Sequence, residues 1–153
     1  MTNLENQDVQ QKHERAIADH VGDAETTRQF IEALQVLERD RNSTGISSLF
    51  TENSEVGNII SSRDFIGLEG AREFWETYRE TFGEVTSSFR NAIVSDGRAA
   101  LEWTTTGTSS AGAPIAYEGV SILEMADGKI TRFRAYFDAH DLGRQMEQGA
   151  EAS

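Results

Sequence analysis

A change of period partway along the chain restricts its fold more than any other feature. Between residues 26 and 82 apolar side chains recur every third or fourth position, and from 85 to 138 they recur every second. Phe30, Ile31, Leu34 and Leu37 form one apolar stripe, which predicts a helix from Asp23 or Thr26 to about Arg41. Asn42-Ser43-Thr44-Gly45 then stops and recaps the chain, with Ile46, Leu49 and Phe50 in a short second helix closing at Glu52-Asn53. Residues 54–60 alternate weakly as a strand, and 61–64 read as the loop after it. Residues 69–82 form a clear amphipathic helix, with Ala71, Trp75, Tyr78 and Phe82 on one side and Gly83 as its stop.

The period-two part is two hairpins. Residues 85–95 and 98–109 flank Asp96-Gly97, and residues 115–125 and 129–138 flank Asp127-Gly128. Asp-Gly suits a tight hairpin turn because both central residues take positive φ there. Helices first and an antiparallel meander afterwards predict an α+β fold, with the N-terminal helices packed on one face of a curved sheet. The lone proline, Pro114, falls at a strand entry where a missing N–H is tolerated.

At 153 residues the chain suits one domain, divided by pattern into a polar N-terminal extension (1–22), a folded unit (23–145) and a disordered tail (146–153). It has no cysteine, which removes thiolate nucleophiles, Cys-type zinc sites and disulfides. The three histidines lack metal-ligand spacing, so no metal is expected. No phosphate-binding loop or nucleophile elbow is present either, and no cofactor is expected. A formal net charge of −12 repels phosphate backbones and anionic bilayers, so neither nucleic acid nor membrane is an expected partner. The first residues lack a basic-then-apolar order, and the expected location is cytoplasmic.

Strand parity decides which side chains face the helices. On the last strand Phe133, Ala135 and Phe137 point one way, whereas Arg132, Arg134, Tyr136, Asp138 and His140 point the other. Trp103 and Thr105 share a face that is assigned to the interior, opposite Trp75 on the helix. The strand between them is ambiguous, because Val120 and Ile122 compete with Tyr117, Ser121 and Leu123. Coverage of both its faces would follow from a homodimer through the outer sheet face. A curved sheet lined by aromatic residues and capped by helices encloses a cavity for a small hydrophobic molecule; alternatively the same aromatics fill a solid core.

The last hairpin runs from a Gly-Lys-Ile turn, Gly128-Lys129-Ile130, through an aromatic and an Arg, Phe133-Arg134, to a Tyr-aromatic-Asp, Tyr136-Phe137-Asp138. With this ending, the order of elements resembles the nuclear transport factor 2-like cone, and specifically its SnoaL-like branch. Phe50-Thr51-Glu52-Asn53, Gly67-Leu68-Glu69-Gly70-Ala71 and Leu101 to Gly107 support it, over about residues 26–143. The resemblance implies a cone-shaped curved antiparallel sheet with the helices on its concave face. Members include polyketide cyclases, ketosteroid isomerase and limonene epoxide hydrolase, alongside binding proteins, so fold alone assigns no activity. Carried over residue by residue, the epoxide hydrolase machinery falls on Ala135, Trp103, Thr105, Val56 and Asn58, of which only Asn58 keeps the family's group. The isomerase's hydrogen-bonding acid falls near Ser121. Methyl, indole and isopropyl groups move no protons, and general acid–base work needs an ionisable group in reach of the reacting atom.

The expected function is therefore binding of a small apolar or aromatic molecule. Asn58, Thr105, Tyr117 and Ser121 would orient it, with Trp75, Trp103, Phe133, Ala135 and Phe137 as apolar lining. The alternative is a cofactor-free isomerase, cyclase or hydratase/hydrolase acting on a hydrophobic substrate in the cone pocket, with proton transfer by Asp138, Glu118 or His140. Asp138 could instead cap local backbone amides, Glu118 could be exposed or paired with arginine, and Arg63 and Asp64 could gate the cone's mouth.

Overall fold

The computed structural model describes residues 2–152, with side chains from 5 to 148. In chain order the elements are α1 (Thr2–Asp40), α2 (Thr44–Ser47), β1 (Phe50–Asn58), β2 (Phe65–Ile66), α3 (Gly67–Glu80), β3 (Phe82–Ser95), β4 (Arg98–Ser109), β5 (Pro114–Ala126), β6 (Lys129–Phe137) and α4 (Ala139–Ala152). The six strands make one curved, unclosed sheet in the order β2-β1-β6-β5-β4-β3. All neighbours are antiparallel except β1 and β6, which run parallel. Helices α1 and α3 cover its concave face, as the α+β reading requires.

Both hairpins form at the Asp-Gly pairs, where Asp96, Gly97, Asp127 and Gly128 have φ of 50°, 73°, 52° and 77°. Register shifts at Phe89/Asn91 and Glu124/Met125 mark bulges, which bend a strand and deepen the curve of a sheet. The second bulge also keeps Ile130 and Phe133 both on the inner face despite their odd spacing. The ambiguity on β5 resolves the same way. Ser121, Leu123 and Met125 are buried inside, while Val120 and Ile122 are only half-buried on the outer face.

Several boundaries differ from the pattern. Phe50 begins β1 rather than ending a helix, because its backbone joins the sheet beside Ile130. Helix α3 ends at Glu80, where the Thr81 N–H bonds back to the Thr77 carbonyl, and Gly83 already lies in β3. Residues 5–22 are exposed turns of α1, a single 39-residue helix that meets the sheet from Asp23 onward, where Asp23 Oδ2 accepts from the Gly97 N–H at 3.0 Å and Thr27 Oγ1 lies 3.4 Å from Met125 Sδ. The expected tail from residue 146 is instead part of α4. Leu142 is buried with Phe82, Val85 and Ile115, and Met146 packs against them. Gln145 secures this helix by accepting from the Ala116 N–H at 2.8 Å and donating to the Ala116 carbonyl at 2.9 Å. Ala116 lies beyond the last β5–β6 pair, so Gln145 satisfies backbone groups that the ladder leaves open.

The main core is aromatic. Trp75 stands with Phe133 at 4.9 Å and Phe74 at 4.9 Å between ring centroids, and Phe30 meets Phe133 at 5.4 Å. Edge-on and tilted contacts of this kind add about 0.5–1.5 kcal/mol each beyond the area they bury.

Candidate functional site

A cavity of about 450 Å³ opens between α1, α3 and the inner sheet face. Its size falls within the range that holds small organic ligands. The apolar wall brings together Trp75, Trp103, Phe133, Ala135 and Phe137, and the polar positions Asn58, Thr105, Tyr117 and Ser121 lie on the same lining. Parity explains the grouping: Thr105 faces Tyr117, and Ser121 faces Ala135, in adjacent strands.

The wall polar groups differ in how far they are already committed. The Trp103 indole N–H donates to Ser121 Oγ at 2.9 Å, so Ser121 keeps its own proton for another acceptor. The indole fits only because residue 119 has no side chain, since a Cβ on Gly119 would lie 2.8 Å from the ring. Tyr117 stands edge-on to Trp103 and Phe137, and its hydroxyl has no hydrogen-bond partner among the described residues. Burial, with the Glu38 charge second, raises its pKa above the ordinary phenol value. Asn58 Oδ1 accepts from the N–H groups of Ile60 and Ser61 and from Ser61 Oγ, closing the loop at the mouth. Only its Nδ2 is left to meet a ligand. Arg63 lines that mouth, its guanidinium 5.9 Å from the Phe65 ring centre. Asp64 instead pairs with Arg134 at 3.5 Å.

The three residues expected to move protons lie elsewhere. Asp138, Glu118 and His140 are all exposed and none borders the cavity. Asp138 Oδ1 accepts from the Asp141 N–H at 2.9 Å, the N-cap of α4. Glu118 sits on the outer face of β5, set there by the same parity that turns Tyr117 inward. His140 lies in the first turn of α4. As placed, none of the three shares the hollow with Trp75, Trp103 and Ser121.

A different carboxylate stands behind the wall. Glu38, only 4% exposed, accepts from Tyr78 Oη at 2.7 Å, from the Ser87 N–H at 2.8 Å and from Ser87 Oγ at 2.7 Å. Ser87 Oγ lies 2.7 Å from Thr105 Oγ1. Tyr78, Ser87 and Thr105 border the cavity, so one carboxylate organises three of its hydroxyls. No ion pair among the described residues involves Glu38. Burial, reinforced by the adjacent Glu38 charge, pushes the Tyr78 pKa well above its ordinary value, keeping this phenol protonated at neutral pH. The nearby Arg79 serves the backbone instead, donating to the carbonyls of Glu38, Phe82 and Gly83 at 3.0 Å each.

A signal for Glu38 was present in the sequence. It lies four residues after Leu34 and eight after Phe30, on the apolar stripe of α1, where an acid is out of place. Ser87 lies on the edge strand β3, and α1 covers its otherwise open N–H with this carboxylate.

Cone, cavity and helix order define a class, and the sequence matches one family within it. Residues 27–133 match the SnoaL-like domain, and the chain belongs to that family. Among solved structures, TerC co-crystallised with polyporic acid is similar at 22% identity and a TM-score of 0.71, over 82% of this chain and 98% of that one. An NTF2-like protein from Anabaena variabilis is 17% identical with a TM-score of 0.71, over 77% and 90% of the two chains. An LEH-like epoxide hydrolase from M. tuberculosis is 16% identical with a TM-score of 0.67, over 88% and 96%. At these identities the likeness is one of fold. No curated protein sequence matches the chain. Among the described residues, no group of side chains is arranged to hold a metal ion, and no helix is long and apolar enough to cross a membrane.

Proposed function

We propose that the protein binds a small, largely apolar or aromatic molecule in the cone. The observation that carries this reading is the cavity of about 450 Å³, faced by aromatic rings and hydroxyls, with no carboxylate among the described residues on its lining. Burial of aromatic surface supplies affinity, and a few fixed polar groups supply orientation. A titratable base in contact with the reacting atom, which cofactor-free isomerisation or hydration would need, has no counterpart on this wall. The half-buried Val120 and Ile122 on the outer face support a second copy of the chain as partner there.

The test is thermal unfolding of the full chain against a panel of steroids, fused-ring aromatics and terpenoids. A ligand present at a hundred times its Kd stabilises the folded state by about 2.7 kcal/mol, a shift of several degrees for a chain this size. Unchanged unfolding temperatures throughout, together with unperturbed amide resonances for cavity residues, would overturn the reading.

A further inference from the structure

The proton count around Glu38 fixes the polarity of the cavity's hydroxyl cluster. A carboxylate only accepts hydrogen bonds, so Tyr78 Oη and Ser87 Oγ must both direct their protons at it. With its proton committed, Ser87 Oγ can only accept at 2.7 Å, which makes Thr105 Oγ1 the donor of that contact. Every hydroxyl proton of the cluster is then turned toward the carboxylate and none toward the cavity. What Tyr78, Ser87 and Thr105 have left to offer is oxygen lone pairs.

We propose that Glu38 is a positioning residue that makes this corner of the cavity accept hydrogen bonds, so that it selects a neutral hydroxyl group on an aromatic or alicyclic ligand. The proposal rests on the binding reading above and specifies its ligand class. A hydroxyl seated there donates into the cluster, and the chain of aligned dipoles ending on a buried carboxylate strengthens that bond. A ligand carbonyl or ether oxygen would meet lone pairs and lose its hydration without replacement. A ligand carboxylate would in addition face the Glu38 charge across a poorly screened gap. An ammonium is disfavoured for a different reason: three donors already surround Glu38, and stripping water from a cation costs several kcal/mol. Elsewhere on the wall Ser121, whose oxygen already accepts from Trp103, has a proton free, so carbonyl groups on the same ligand belong at that end.

Matched probes separate this proposal from the binding reading. Calorimetric titration of the full chain with naphthalene, naphthol, methoxynaphthalene, naphthoate and naphthylmethylamine varies only the polar group on one ring system. Naphthol is expected to bind on the order of tenfold more tightly than methoxynaphthalene, the worth of one good hydrogen bond, with naphthoate weakest. Thr105→Val, close to isosteric, is expected to erase most of the preference for naphthol over methoxynaphthalene, and Glu38→Gln to do the same where it folds; a full preference surviving in Thr105→Val would overturn the assignment. Equal binding of naphthol and its methyl ether, or tighter binding of naphthoate, would overturn the hydroxyl assignment while leaving an apolar binding site. Tightest binding by the amine would overturn it in favour of charge recognition. Silence from all five probes, naphthalene included, would overturn both readings together.

Discussion

The last turn of α1 and the N-cap of α4 each carry a carboxylate that accepts a backbone N–H, and they behave oppositely. Asp138 is exposed and caps one helix, a local task completed within three residues of itself. Glu38 is buried and ties α1 to Tyr78 on α3 and to Ser87 on β3, 40 and 49 residues away. An acid beside an imidazole at a strand end looks like a catalytic pair in one dimension. In three dimensions the group that shapes the cavity is the one embedded in an apolar stripe.

Substitutions that test this contrast differ most in size at Glu38. Glu38→Ala leaves the Ser87 N–H, Ser87 Oγ and Tyr78 Oη without their acceptor, and should lower stability in urea by about 3–5 kcal/mol. A loss below 1 kcal/mol would show that water replaces the carboxylate and would dissolve the contrast. Tyr78→Phe removes one donor from a buried charge and should cost about 1.5–3 kcal/mol by the same measurement. Asp138→Ala should cost about 1 kcal/mol, the usual worth of an N-cap, without moving ligand affinity. Glu118→Gln, exposed on the outer face, should change stability by no more than about 0.5 kcal/mol and leave binding unchanged. A large effect of Glu118→Gln on ligand affinity would place the site on the wrong face.

The buried phenols give the contrast a pH signature. Tyr78 and Tyr117 have folded-state pKa values raised above that of an unfolded tyrosine, so their contribution is intact below about pH 10. Above that, the unfolded chain releases protons that the folded chain retains, and stability falls as pH rises. Denaturation midpoints measured from pH 8 to 11 should drop near the top of the range, and Tyr78→Phe should flatten the drop. Asp138→Ala should not.

Much of the cone was legible because its grammar is local. The two Asp-Gly turns, the parity of Phe133, Ala135 and Phe137 and the stripe through Phe30 and Leu34 each depend on neighbours within a few residues. Phe133, Ala135 and Phe137 lie together on the lining of the hollow. What stayed hidden depends on distant partners. Glu38 finds its three donors only when α1 packs over the edge of β3, and Ser87 shows its role only there. Helix α4 was missed because only Leu142 and Met146 anchor it among polar residues, and the rest of its docking comes from Gln145 reaching across to Ala116. β2, two residues long, carries no readable alternation at all.

Helix α1 has a practical consequence for anyone weighing this protein in solution. Thirty-nine residues at about 1.5 Å each make a rod of nearly 60 Å, and residues 5–22 stand clear of the cone. Such a spar increases hydrodynamic drag far more than it adds mass, so a single chain of 17.0 kDa will elute from a sizing column ahead of a sphere of equal weight. Early elution therefore cannot be taken as pairing of two chains; light scattering, which weighs particles regardless of their outline, is the measurement that counts subunits.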